Sequence, residues 1–498
     1  MRVKLSKIEL PEDATIEALN HDDLVALAKL WRVKISEYQS ILFRVRRSLY
    51  GRKSERSEPA DSTSKEPPAP PKPRSDTKKR PSDRYPDAPI REDKRNFVEA
   101  PNCGLCGCAM SDSGMTEDSE YLDVQTREFT VVQQKRHKHR CHSCHGSIVT
   151  APAPPRVTPG GSYSDDLIID ATLSKYCDLI PMERYCQMAA RSGLPGLPPH
   201  SLIQASFTLA DYLKEVYQLI KAETLATSVL LADETPHRML EGDAKKRWYL
   251  WGFANQHAAF FECHDTRSGD VSTDVLAAST CAVLLTDAFC GYKKSIKAAN
   301  AMRVDKGLTP IRAAYCNAHA RRRFYSGSKE EEPSVDAAII VKLYQEIYRL
   351  NAESRGLSDA DILQKQAEMV PYFEAIKIEA ESKIDSYSSK STMGSAYSYF
   401  LKYYEGLTLF ITNPLVPIDN NPAERLLRSP VVGRKTWYGT HSKAGAEAAA
   451  VHFSIVETCK MNGVNPREYY ADAVARIHGK RGLITPRQFR DSPNNDSG

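Results

Sequence analysis

Three acidic side chains in this sequence have a spacing and surroundings that suit chemistry on a phosphate. Asp233 and Asp287 each follow a short apolar run, and Glu424 lies among amide and basic side chains in residues 419–428. Oxygen ligands from three carboxylates suit Mg²⁺ or Mn²⁺, which keep waters and bind substrate phosphates. Two such ions can activate an attacking hydroxyl and stabilise the leaving oxygen during displacement at phosphorus. The acids therefore predict a metal-dependent phosphoryl-transfer site, although a turn or cap role is the usual explanation for one aspartate at a strand end.

Basic side chains next to Glu424 are candidates for contacts with a phosphate backbone. They are Arg425, Arg428, Arg434 and Lys435. Such cations are needed because the negative charge of the substrate must be neutralised near the metal site. The formal net charge is only +5, but further basic clusters lie at residues 44–56, 135–140 and 321–323. Together they form the electrostatic footprint expected of a nucleic-acid binder, while a solvated helix face is the alternative for each cluster alone.

Two Cys-x-x-Cys pairs predict a structural zinc site. The first pair is Cys103 and Cys106, and the second is Cys141 and Cys144. Four thiolates satisfy tetrahedral Zn²⁺, and a closed site of this kind folds a module too small to be stable alone. The exact ligand set stays open because neighbouring side chains offer substitutes, namely Cys108, His142 and His145. A redox dithiol pair is the alternative function.

Composition bounds the class of protein. A chain of 498 residues should contain several domains. No apolar stretch reaches the roughly 20 residues needed to span a bilayer, and the N-terminus lacks the apolar core of a signal peptide. We therefore expect a cytoplasmic protein without a membrane partner, in which paired cysteines bind metal more often than each other.

The N-terminal half is predicted to contain four segments. Residues 1–56 form a coiled-coil helix with a basic end, since their apolar residues alternate steps of four and three. This predicts self-association, with an amphipathic helix packed on its own chain as the alternative. A disordered Pro-rich linker at 57–92 precedes the zinc module at 93–152. Residues 160–226 are helical, and a Gly- and Pro-rich turn before a helix over 202–220 resembles a DNA-binding helix-turn-helix.

The C-terminal half is predicted to be an α/β layer that holds the acids. Short strands end at Asp233 and near Asp287, with residues 234–236 breaking the first strand, and Glu424 begins a helix. A hairpin is expected from two runs, 247–253 and 258–264, and a fifth strand at 311–316. We assign residues 227–327 and 410–440 to the catalytic core, 328–409 to an α-helical insertion, and 441–498 to a C-terminal helical tail.

These motifs, in this order, resemble the transposases of the IS66 insertion-sequence family. The stretches that carry the resemblance are residues 49–56, both Cys-x-x-Cys pairs, and residues 174–181, 233–236, 316–324, 419–425 and 433–435. The resemblance implies an RNase H-like DDE core in which Asp233, Asp287 and Glu424 hold the ions. Metal-bound water would cleave at the ends of the element, and the freed 3′-hydroxyl would then attack target DNA.

Two motifs depart from the family pattern. The usual Asp-Gly-Tyr at the second acid is Asp287-Ala288-Phe289 here, and the Gly-Arg-Lys-Asn-x-Leu-Phe stretch becomes Gly-Arg-Lys-Thr-Trp-Tyr-Gly at residues 433–439. The acids themselves are kept. Cys316 and His319, which precede the insertion, could form half of a metal site, but we expect this pair to brace the insertion against the core.

The resemblance also implies partners and a location. The DNA partners would be the terminal repeats of the element and its target, bound by a homo-oligomer that the coiled coil assembles. The ions would be catalytic Mg²⁺ or Mn²⁺ and structural Zn²⁺. Companion proteins of the same element are further candidates, and the location would be the bacterial cytoplasm, in association with the nucleoid. Two alternatives remain: a catalytically silent DNA-binding relative, and an RNase H-like nuclease without strand transfer.

Overall fold

The computed structural model describes most of the chain beyond residue 147. In full, the described residues are 20–25, 29, 80–84, 108, 128–140, 148–240, 247–328 and 334–492. Most of the predicted coiled coil and linker lies outside them, and so do the four predicted zinc ligands, Cys103, Cys106, Cys141 and Cys144. Within the part that is described, no helix is long and apolar enough to cross a membrane.

The chain divides into two compact units. One unit is Arg52–Val131, and its described residues include a single helical turn, Pro81–Arg84. The other unit comprises Met1–Gly51 and Val132–Gly498. In this larger unit, two short antiparallel strands, β1 (Lys138–Arg140) and β2 (Ile148–Thr150), flank the second predicted cysteine pair.

Four helices occupy the region predicted to be helical: α1 (Asp165–Tyr176), α2 (Met182–Arg191), α3 (Pro199–Tyr212) and α4 (Lys214–Leu225). Ser164 is the N-cap of α1, and its hydroxyl accepts the N–H of Leu167 at 3.2 Å. The single helix expected over 202–220 is wrong, because the chain turns at Leu213 and continues as a separate helix. Leu209 and Leu213 are buried in the same core, so the apolar periodicity continues across the break. The periodicity alone therefore does not indicate that one helix ends and another begins.

Five strands form a mixed sheet: β3 (Val229–Arg238), β4 (Arg247–Ala254), β5 (Ala259–His264), β6 (Val283–Thr286) and β7 (Arg312–Tyr315). Their order is β5–β4–β3–β6–β7. β4 is antiparallel to both β3 and β5, whereas β6 and β7 extend the sheet in parallel with β3. The predicted hairpin and the α/β class are confirmed.

The later helices cover this sheet or extend from it. They are α5 (Asp270–Ala278), α6 (Cys290–Val304), α7 (Asn317–Gly327), α8 (Val335–Glu353), α9 (Asp359–Ala367), α10 (Val370–Lys383), α11 (Thr392–Leu407), α12 (Asn421–Leu426), α13 (Arg428–Trp437), α14 (Lys443–Met461), α15 (Pro466–His478) and α16 (Pro486–Arg490). Along the chain, helices α8 to α11 come after the last strand and before α12, the helix that carries Glu424. Their core is rich in aromatic side chains, including Tyr344, Phe373 and Phe400. The helical pattern predicted for 328–409 is therefore present.

Alternate residues of β3 enter different cores. Leu230 and Ala232 pack with residues of α5 and α6 on one face of the sheet. Val229 and Leu231 pack on the other face, in the core that contains α7 and the aromatic helices. Because successive strand residues point to opposite faces, Asp233 continues the second face and Glu234 the first.

Helix α14 covers the edge strand β5. The N–H of Phe261 donates to Ser454 Oγ at 2.9 Å, and the N–H of Ala259 donates to Thr458 Oγ1 at 3.1 Å. The helix thus supplies hydroxyl acceptors to backbone donors that the edge of a sheet would otherwise expose.

Candidate functional site

Asp233 lies in the part of β3 that extends beyond its parallel neighbour. The ladder between β3 and β6 ends at Leu231, whereas the pairing of β3 with β4 continues to Arg238. The expected strand break at residues 234–236 is therefore wrong. A proline is tolerated where one side of a strand is open, and Pro236 falls in this one-sided extension.

Asp287 follows the last residue of β6, as predicted. Its Oδ1 accepts the N–H of Phe289 at 3.0 Å, which fixes the turn into α6. Since β3 and β6 are parallel neighbours, Asp233 and Asp287 lie at the same end of the sheet.

Glu424 lies in the first turn of α12, as predicted, and the preceding residues tie this helix to β3. The side-chain amide of Asn420 donates to the carbonyl of Ala232 at 2.9 Å, one residue before Asp233. The backbone N–H of Asn420 donates to Cys316 Sγ at 3.2 Å. Asn420 is therefore a positioning residue that the sequence analysis missed, although its place in an amide-rich stretch beside an acid was a usable signal.

Electrostatics single out Asp233 within this group. Burial, and then the negative charges of Glu234, Asp287 and Glu424 in that order, together raise the pKa of its carboxyl to about 8. The N–H of Glu234, which donates to Asp233 Oδ1 at 2.9 Å, opposes the shift. Among the described residues no cation compensates the ionised form of Asp233, and a bound divalent ion would supply one.

The three acids influence one another but do not form the tightest cluster of possible ligands. Among the described residues, one set of three possible ligand atoms lies within 4.8 Å of one another. These atoms belong to Cys316, His319 and Glu424. Asp233 and Asp287 are not part of a set that tight. The larger separation of the three carboxylates is compatible with a site for two ions, because such a site shares its ligands between ions about 4 Å apart.

Glu234 has the partners that Asp233 lacks. Its side chain is only 1% exposed, and it accepts hydrogen bonds from the Tyr292 hydroxyl at 2.6 Å and from Arg267 Nε at 2.8 Å. The Arg267 guanidinium also lies over the Phe289 ring, 4.0 Å from its centroid. Sequence reasoning missed this network, whose members come from β3, the loop after β5, and α6.

The predicted phosphate contacts differ in exposure. Arg425, Arg428 and Lys435 are exposed, whereas Arg434 is half-buried and donates to Thr235 Oγ1 at 3.3 Å. Arg434 also lines a cleft with four residues of β3 and β4, namely Pro236, His237, Arg238 and Arg247. Arg238 and Arg247 are direct cross-strand partners, an arrangement of like charges that an anion would stabilise.

Comparison with known proteins gives a consistent result. Residues 160–448 match the family described as "Transposase IS66 family". The uncharacterized protein y4hP of Sinorhizobium fredii is 29% identical over 434 residues, which cover 81% of this chain and 75% of that protein. The uncharacterized protein y4jD of the same organism is 28% identical over 391 residues, 76% of this chain and 75% of its own length. The family match spans the whole sheet, the aromatic helices and Glu424, and the chain therefore belongs to the IS66 transposase family.

Proposed function

We propose that this protein is a DDE-type DNA transposase that binds the ends of its element, cleaves DNA and joins the freed end to a target. Membership of the family supports the general role. The mixed sheet, with two acids at one end and a third on a helix tied to β3, supports the RNase H-like core that the sequence resemblance implies.

The observation that carries the proposal is the environment of Asp233. Its carboxyl is half-buried beside three other acids, and its pKa is raised to about 8 by burial and by their charges. Groups of this kind concentrate at functional sites, where a cation completes the charge balance. All the donors that Asp233, Asp287 and Glu424 offer are carboxylate oxygens, so the site fits Mg²⁺ or Mn²⁺.

Each residue then has a defined part in the reaction. Asp233 and Asp287 hold ions at the end of the sheet, and α12 brings Glu424 to the same region. Ions held there would supply activation of the attacking hydroxyl group and stabilisation of the leaving oxygen. Arg434, fixed through Thr235, would hold a DNA phosphate, and the exposed Arg425, Arg428 and Lys435 would neutralise neighbouring phosphates.

The substitution Asp233→Asn tests this function. The full chain is incubated with candidate terminal-repeat DNA, a target plasmid and Mg²⁺, and cleaved and joined products are separated on gels. The variant should lose both products and keep DNA binding. Asp274→Asn, at an exposed position of α5, is the matched control and should keep both products. Joining by Asp233→Asn would contradict the assignment.

The same assay separates the two alternatives. Metal-dependent hydrolysis without joined products by the wild-type protein would favour the nuclease. DNA binding without either product would favour a silent relative.

We also propose the structural zinc and the self-association predicted for the N-terminal segments. The Zn²⁺ ligands would be Cys103, Cys106, Cys141 and Cys144, and the antiparallel pairing of β1 with β2 on either side of the second pair supports a knuckle there. Zinc content of the purified chain and of Cys141→Ser would test the site. Sedimentation of the full chain would test the oligomer.

A further inference from the structure

We propose that Cys316, His319 and Glu424 form a second metal site, which takes a thiophilic divalent ion of the Zn²⁺ type. The three residues come from two helix starts that the fold brings together. Cys316 caps α7, His319 lies in the first turn of that helix, and Glu424 lies in the first turn of α12. Their ligand atoms lie within 4.8 Å of one another, and His319 Nδ1 is 3.5 Å from Glu424 Oε1.

Two of the three ligand atoms are buried without a hydrogen bond. They are His319 Nδ1 and Glu424 Oε1, which lie 3.5 Å apart. Asn420 Oδ1, on the residue whose N–H contacts Cys316, is a third such atom. Buried polar atoms are costly unless they have a partner. An ion between the imidazole and the carboxylate would give both atoms that partner.

The surroundings of Cys316 suit a metal-bound thiolate. Its side chain is fully buried, and its sulfur accepts the backbone N–H of Asn420 at 3.2 Å and that of His319. Both donors favour the thiolate, although burial dominates and raises the pKa of the free thiol to about 12. An ion would displace the thiol proton, as metal binding to cysteine requires.

The donor set distinguishes this site from the proposed catalytic one. Sulfur, nitrogen and one oxygen select Zn²⁺ over Mg²⁺, whereas three carboxylates favour the reverse. Glu424 belongs to both sets and has two oxygens. With Oε1 facing His319, the other oxygen stays available to a catalytic ion, so an ion at the second site would hold the Glu424 side chain in one orientation.

Metal content of the full chain tests the proposal. Protein stripped of metal is dialysed against Zn²⁺ alone, and bound zinc per chain is measured in wild type, Cys316→Ser and His319→Ala. Each variant should bind one equivalent fewer than wild type, and any zinc at the four N-terminal cysteines cancels in this difference. A Co²⁺-loaded sample should show a loss of thiolate-to-cobalt absorption in Cys316→Ser.

Two controls make the result specific. Cys281→Ser changes another fully buried cysteine whose neighbour is Ser279, and it should keep the zinc content of wild type. Asp233→Asn should also keep it, although it should lose strand transfer, so this inference and the proposed function can fail separately. His319 is partly exposed, and its variant should fold, as thermal melts will show. Equal zinc in wild type and folded His319→Ala would overturn the proposal.

Discussion

Two neighbouring acids on opposite faces of strand β3, Asp233 and Glu234, have opposite surroundings. Glu234 faces α6 and accepts hydrogen bonds from a phenol and a guanidinium, which oppose the rise in its pKa that burial causes. Asp233, one residue earlier, faces the other way and accepts only a backbone N–H among the hydrogen bonds of the described residues, while three acids surround it. The difference teaches that burial alone does not distinguish the two acids, whereas the hydrogen-bond partners of the described residues do.

The comparison also explains why both acids are compatible with a stable fold. A buried carboxylate with a hydroxyl and a guanidinium as donors contributes to holding β3, α6 and the loop after β5 together. A carboxylate without a cation lowers stability only when it is ionised, and the fold therefore favours the protonated form of Asp233. We therefore expect substitutions on the two faces to have opposite consequences for activity and for stability.

The largest effect should follow from replacing an acid of the proposed catalytic site. Asp287→Asn should lower the rate of Mg²⁺-dependent DNA cleavage by about 1000-fold or more, since a metal ion contributes several kcal/mol of transition-state stabilisation. Its midpoint of thermal unfolding should stay near that of wild type. Single-turnover cleavage assays and melts measure both quantities, and cleavage at the wild-type rate would place the site elsewhere.

Removing the partnered acid should instead reduce stability. Glu234→Ala leaves the buried Tyr292 hydroxyl without its acceptor, and the free energy of unfolding should fall by about 3 kcal/mol. The side chain of Arg267 is 44% exposed, so water can hydrate it when Glu234 is removed. The lost contact with Arg267 therefore adds little to the loss of stability. Asp233→Ala is the matched substitution and should be less destabilising, because among the described residues the hydrogen bond that it removes is the one from the backbone N–H of Glu234. Urea titrations compare the two, and equal losses would erase the distinction between the faces.

The pH dependence of stability should report Asp233 directly. The ordinary pKa of an aspartate is 3.8, and that of Asp233 in the fold is about 8. Between these pH values the folded, metal-free protein therefore binds more protons than the unfolded chain. The contribution of protonated Asp233 to the free energy of unfolding is therefore complete below about pH 4, and it is lost as the pH rises through about 8. Denaturant titrations in EDTA should show this decline in wild type and a smaller one in Asp233→Asn. Saturating Mg²⁺ should flatten the wild-type curve, and identical slopes for both proteins would contradict the shift.

The smallest effect should come from a single phosphate contact. Arg434→Ala should weaken DNA binding by about 1 kcal/mol and reduce the dependence of log affinity on log salt by about 1. Arg312→Ala, at an exposed position at the start of β7 and thus at the opposite end of the sheet from the acids, is a matched control that should leave the slope unchanged. Anisotropy titrations at several salt concentrations measure both, and an unchanged slope for Arg434→Ala would remove this residue from the DNA surface.

Much of the sheet could be predicted because its strands are short apolar runs. The hairpin β4–β5 and the helical turn under Glu424 fall where the sequence placed them. Helix α6 was missed, since its buried face includes Ser295 and Arg303 and therefore lacks a simple apolar period. The extension of β3 through Pro236 was also missed, because proline penalises a strand only where its missing N–H is needed.

The sequence by itself determined the family, the positions of the three acids and the kind of ions that their oxygens suit. Only the tertiary structure decided that Glu234 has hydrogen-bond donors for its carboxylate, whereas Asp233 lies among other acids. Glu234 obtains its partners from 33 and 58 residues away, and the amide that ties Glu424 to β3 spans 188 residues. Local periodicity carries no information on contacts over such separations, since they depend on how helices and loops close over the sheet.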